Sequence, residues 1–139
     1  MSAVHVEAVS QVAMTVPNID EAISFYEGKL GIRLLFKTPN MAMLACGETR
    51  ILLGTPEQNT TKQPMFLYFR VEDIKTAFAG LRSDGVRVGQ EPHMVGSFQG
   101  RDAWLATFFD PSGTLHHLIS EVPGAANPSA AVQSARSKA

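Results

Sequence analysis

A single cysteine, Cys46, excludes an internal disulfide, so this chain of 139 residues relies on packing rather than cross-links. Cys46 lies in the apolar run MAMLAC and reads as a buried, inert thiol. An excess of either charge is also lacking: 12 Lys and Arg against 13 Asp and Glu leave a formal net charge of −1, and no basic cluster stands out. That balance gives no general electrostatic pull toward nucleic acid or an anionic membrane. No run approaches the roughly 18 apolar residues that a membrane span needs, and the first residues lack a cationic segment followed by an apolar one. The chain is therefore expected to be soluble and cytoplasmic, with neither nucleic acid nor membrane as a partner. Signature loops are missing too. There is no G-x-G-x-x-G or P-loop, no G-x-S-x-G elbow and no H-E-x-x-H helix, which argues against nucleotide-dependent and serine-hydrolase chemistry.

What is present is a stretch written twice. Gln11–Tyr26 (QVAMTVPNIDEAISFY) lies over Phe66–Leu81 (FLYFRVEDIKTAFAGL) at a constant offset of 55 residues, with Val16 over Val71, Ile19 over Ile74 and Ala22 over Ala77. Each copy begins with period-two alternation, the mark of a strand with two different faces. Each then meets a capping residue, Asn18 or Asp73, and continues with apolar residues at helical spacing. Gly31 and Gly85 sit where a C-terminal glycine belongs.

In order, the first module is expected to run as a strand over 9–16, a helix over 19–29 and strands over 32–37, 41–46 and 50–53. Residues 55–64 read as a polar linker. The second module is expected to place a strand at 65–71, a helix at 74–82, a short strand at 86–90, loop at 91–93 and 96–102 with room for a bent strand around Met94, and strands at 103–109 and 114–121. The turn sequence Asp110-Pro111-Ser112-Gly113 joins the last two. One domain over 1–122 and a disordered tail over 123–139 complete the reading.

The doubled order, the runs VPNIDEAISFYEGKLGIRLLF and FRVEDIKTAFAGLRSDGV, and the ending FFDPSGTLHHLISE together resemble the vicinal oxygen chelate superfamily. Its members include glyoxalase I, bleomycin-resistance proteins, extradiol dioxygenases and methylmalonyl-CoA epimerase. The resemblance covers about residues 9–121. It implies an α+β, glyoxalase-like fold: two repeated βαβββ modules whose curved mixed sheets form a cleft. It also implies a homodimer and, commonly, a divalent metal held by the first and last strands of each module. Carried onto this sequence, those ligand positions are Gln11, Leu52, Phe66 and His117. Leu52 and Phe66 offer no lone pair, whereas catalytic metal sites usually draw three or more N, O or S ligands. No cofactor is therefore expected; a divalent metal, if present, would keep only Gln11 and His117.

The adjacent His116 and His117 must point to opposite faces of their strand, and the alignment of the two modules turns His117 toward the cleft. Gln11 reads as a buried amide on the same lining, in need of a partner. Phe66, Tyr68 and Arg70 share its parity and supply aromatic walls with a polar group. His93, in the loop after Pro92, is the second candidate acid or base. Leu52, Arg50 and Trp104 are further ligand contacts, and Arg101 is a candidate partner for an anion. The chain is thus expected to hold an apolar or aromatic small molecule in a metal-poor cleft. It would act as a binding or resistance module, or as an enzyme using His117 or His93 near neutral pH. The alternative is a metal-dependent lyase, isomerase or dioxygenase of the glyoxalase type, in which His93 or a residue of a partner subunit joins Gln11 and His117.

Overall fold

The computed structural model describes residues 4–57 and 65–124. Its elements are β1 (Gln11–Thr15), α1 (Ile19–Tyr26), β2 (Arg33–Thr38), β3 (Met41–Cys46) and β4 (Thr49–Gly54), then β5 (Tyr68–Arg70), α2 (Ile74–Ser83), β6 (His93–Phe98), β7 (Arg101–Phe109) and β8 (Leu115–Pro123). The chain divides into two compact units, residues 1–63 and 64–139, each with one βαβββ module. The boundary falls in the expected linker, of which 58–64 lie outside the described residues, as do residues 125–139 of the expected tail.

In the first unit the strand order is β1-β4-β3-β2, with β1 parallel to β4 and the remaining pairs antiparallel. Register puts Val12, Ile51 and Leu44 in one row and Met14, Leu53 and Ala42 in the next. These rows face α1, whose Ile19, Ala22, Phe25 and Tyr26 are buried. Asn18 caps the helix by accepting a hydrogen bond from the Glu21 amide at 2.8 Å. The helix stops at Tyr26 rather than Lys29. Gly31, at φ 72°, lets the Ile32 amide return to the Tyr26 carbonyl and close the C-terminus.

The second unit repeats this plan in the order β5-β8-β7-β6, with β5 parallel to β8. Asp73 accepts from the Thr76 amide, and Gly85, at φ 83°, lets the Val86 amide return to Leu81. Ile74, Phe78 and Leu81 of α2 are buried, and on the sheet so are His116, Leu118, Ser120, Phe108 and Ala106. The edge strands β2 and β6 carry a bulge in the same place: register shifts between Leu34 and Phe36 on β2, and between Met94 and Gly96 on β6.

The bent strand around Met94 is real and longer than expected, and the segments read as loop, 91–93 and 96–102, largely join it in a hairpin. His93–Phe98 pairs with the start of β7 through Gln99 and Gly100, both at positive φ (54° and 78°), the conformation that a tight two-residue hairpin requires. The expected strand at 86–90 reduces to a bridge from Val88 to Phe108, supported by backbone bonds from Gly89 to Thr107 and from Phe109 to Arg87. Here Gly89 allows the close approach of the two segments, because a Cβ would lie 2.3 Å from the Thr107 Oγ1.

Candidate ligand-binding site

Period-two geometry assigns alternate residues of the second sheet to the face away from α2. Across β5, β8 and β7 one row of that open face is Tyr68, His117 and Thr107. The next is Arg70, Ile119 and Leu105, reaching His93 on β6. His116 points the other way, as the adjacency of the two histidines requires. It is fully buried, accepts from the Leu67 amide at Nδ1 (3.0 Å) and has the edge of Phe69 against it.

Tyr68 stacks on His117 with ring centroids 4.3 Å apart and planes 15° from parallel, and Phe66 lies 5.9 Å from the same imidazole. Phe66 and Tyr68 are 55% and 53% exposed, so these rings form an apolar surface that the unit itself leaves open. Burial pushes the His117 pKa below its ordinary value, which favours the neutral imidazole. Its Nδ1 is buried with no hydrogen-bond partner among the described residues. An unpaired buried polar atom costs about 1–3 kcal/mol, so His117 carries a local imbalance in its polar groups.

Of the remaining candidates, three belong to the first unit and two to other strands of the second. Gln11, Arg50 and Leu52 come together on the open face of the first unit, where Gln11 is exposed rather than buried. Its Oε1 accepts from the Arg50 guanidinium at 3.4 Å, so the expected need for a partner is met locally. Trp104 sits opposite Ser120 on the helix-facing side, with the Lys75 ammonium 5.2 Å above its ring, and does not join Tyr68 and His117. His93 shares their face but stands on a strand, not a loop, with β7 between it and β8; its Nδ1 lies 2.8 Å from the Glu91 carbonyl oxygen. Cys46 is half-buried, and burial raises its thiol pKa, in keeping with an unreactive side chain.

Asp110, expected only as part of a turn, does more than turn the chain. Its Oδ1 accepts from the Ser112 amide, the Ser112 hydroxyl and the Thr114 amide, each at 2.9 Å, and Oδ2 lies 3.8 Å from His116 Nε2. The D-P-S-G spacing was the available signal. Beside the ring cluster, a groove of 460 Å³ is lined by Arg70, Glu72, Arg101, Glu121 and Pro123 among others.

The donor set does not fit a divalent metal. Leu52 and Phe66 carry no ligand atom, and no group of three His, Cys, Asp or Glu side chains among the described residues could hold an ion.

The family model for the glyoxalase/bleomycin resistance protein/dioxygenase superfamily matches residues 8–118. The chain belongs to this superfamily. Solved glyoxalase-superfamily structures share its fold. A superfamily member from Sphaerobacter thermophilus is 24% identical with a TM-score of 0.68, covering 83% of this chain and 98% of its own. A lactoylglutathione lyase from Agrobacterium tumefaciens is 15% identical with a TM-score of 0.70, covering 84% and 95%. A family enzyme from Burkholderia phytofirmans is 17% identical with a TM-score of 0.65, covering 80% and 96%. No curated protein matches the chain in sequence. No helix among the described residues is long and apolar enough to cross a membrane.

Proposed function

We propose that this glyoxalase-superfamily chain binds an apolar or aromatic small molecule on the open face of its second unit, without a metal. The observation that carries this reading is the exposed Phe66 and Tyr68 rings gathered on His117, whose buried Nδ1 lacks a partner among the described residues. An aromatic surface with a few convergent polar groups is the usual make-up of a ligand site. A ring laid against Tyr68 gains stacking as well as burial. Tyr68 covers His117 and is itself open to solvent, so a modest rotation of the phenol exposes the imidazole to the ligand. His117 then serves as a neutral hydrogen-bonding group or, in an enzyme, as the base. The exposed Leu35 and Phe36 on edge strand β2 support association as a homodimer, which sedimentation would measure, and a cytoplasmic location agrees with the balanced composition.

The test is an NMR titration with the neutral probe 4-phenylbutanamide, following the ring resonances of Phe66, Tyr68 and His117. Saturable shifts are expected, with affinity falling about tenfold in Tyr68→Ala, the equivalent of about 1.4 kcal/mol. Absence of saturable shifts with both this amide and the matching carboxylate would overturn the reading.

A further inference from the structure

The ring cluster and the neighbouring groove share one residue boundary. Arg70 follows Tyr68 by two positions on the same face of β5, and the groove begins at Arg70. A strand rises about 3.3 Å per residue, so the Arg70 backbone lies about 7 Å from that of Tyr68 along the face. The groove volume of 460 Å³ is within the range of small-molecule sites.

Order along the face decides the charge that a ligand meets. From the row of Tyr68 and His117, the next row places Arg70 beside the apolar Ile119 and Leu105. Glu121 comes only one row later, opposite Ala103. The Arg101 guanidinium donates to the Glu121 backbone carbonyl, which ties the far wall of the groove together. Neither groove glutamate pairs with Arg70, which makes no ion pair or side-chain hydrogen bond among the described residues. Arg70 is exposed, and its guanidinium carries five donors in a fork that matches a carboxylate or phosphate edge. The first charged group beyond the rings is therefore an unused cation.

We infer that the ligand of this site is an aromatic anion, its ring on Tyr68 and His117 and its carboxylate or phosphate on Arg70, about 7 Å farther along the strand. The inference rests on the binding reading above and narrows it to one chemical class.

Matched probes separate the two. 4-Phenylbutyrate carries a carboxylate in place of the amide of 4-phenylbutanamide, on a chain that spans the spacing. In the parent protein the carboxylate is expected to bind about tenfold more tightly than the amide, with the gain shrinking as salt rises. In Arg70→Gln the gain should vanish, leaving carboxylate and amide bound equally; Arg70 is exposed, so this variant is expected to fold. Equal affinity of the two probes in the parent, or a gain that survives Arg70→Gln, overturns the inference while leaving the binding reading in place. Failure of both probes to bind overturns both.

Discussion

At the scale of single residues, two neighbouring histidines have opposite environments because a strand turns them to opposite faces. His117 stands beneath exposed rings, whereas His116 is sealed in the core, where burial pushes its pKa down to about 4 despite the opposing pull of Asp110. Lowering the pKa of a base means that the folded state favours the neutral form. The unfolded chain, with an ordinary value of 6.5, binds the proton first as pH drops. Stability from this residue is thus complete above pH 6.5 and is lost as pH falls from about 6.5 to about 4, a loss of about 3 kcal/mol. Urea unfolding at pH 7.5 and 4.5 checks this. His116→Gln keeps an acceptor for the Leu67 amide but cannot titrate, and should lose much less stability over that interval than the parent.

At the scale of elements, helix boundaries and strand edges set the local energetics. Asn18 and Asp73 each satisfy a first-turn amide, and replacing either with Ala should cost about 1 kcal/mol in urea unfolding. A larger effect is expected at Gly89, where the 86–90 segment crosses against β7. The Thr107 hydroxyl lies only 2.3 Å from where a Cβ would stand and also accepts from the Gln90 amide at 2.6 Å. Gly89→Ala must therefore push back a hydrogen-bonded side chain, and should destabilise by about 1–3 kcal/mol. A Gly80→Ala control, with nothing within 4 Å of its added Cβ, should be neutral or slightly stabilising.

At the scale of the whole molecule, the donor set predicts metal content. Elemental analysis of untagged protein purified without chelating resin should find well under one equivalent of Zn, Mn, Fe, Co or Ni per chain, before and after reconstitution. About one equivalent, lost in His117→Ala, would restore the metal-dependent alternative. The superfamily was legible in the sequence because repetition, caps and turn chemistry are local signals. The offset of 55 residues that lays Val16 over Val71 also lays Ala13 over Tyr68, and the structure pairs them with Leu52 and His117, as the alignment of the two last strands requires. Strand alternation alone likewise determined that His116 and His117 diverge. Tertiary structure decided the rest. His93 belongs to a strand because two positive-φ residues close a hairpin that no hydrophobic alternation announces. Trp104 faces the helix because register with Ser120, not its own composition, sets its side. Gln11 is exposed and bonded to Arg50 because a parallel neighbour distant in sequence supplies the guanidinium. Local pattern fixes which residues alternate and where helices begin; only cross-strand register determines which of them meet.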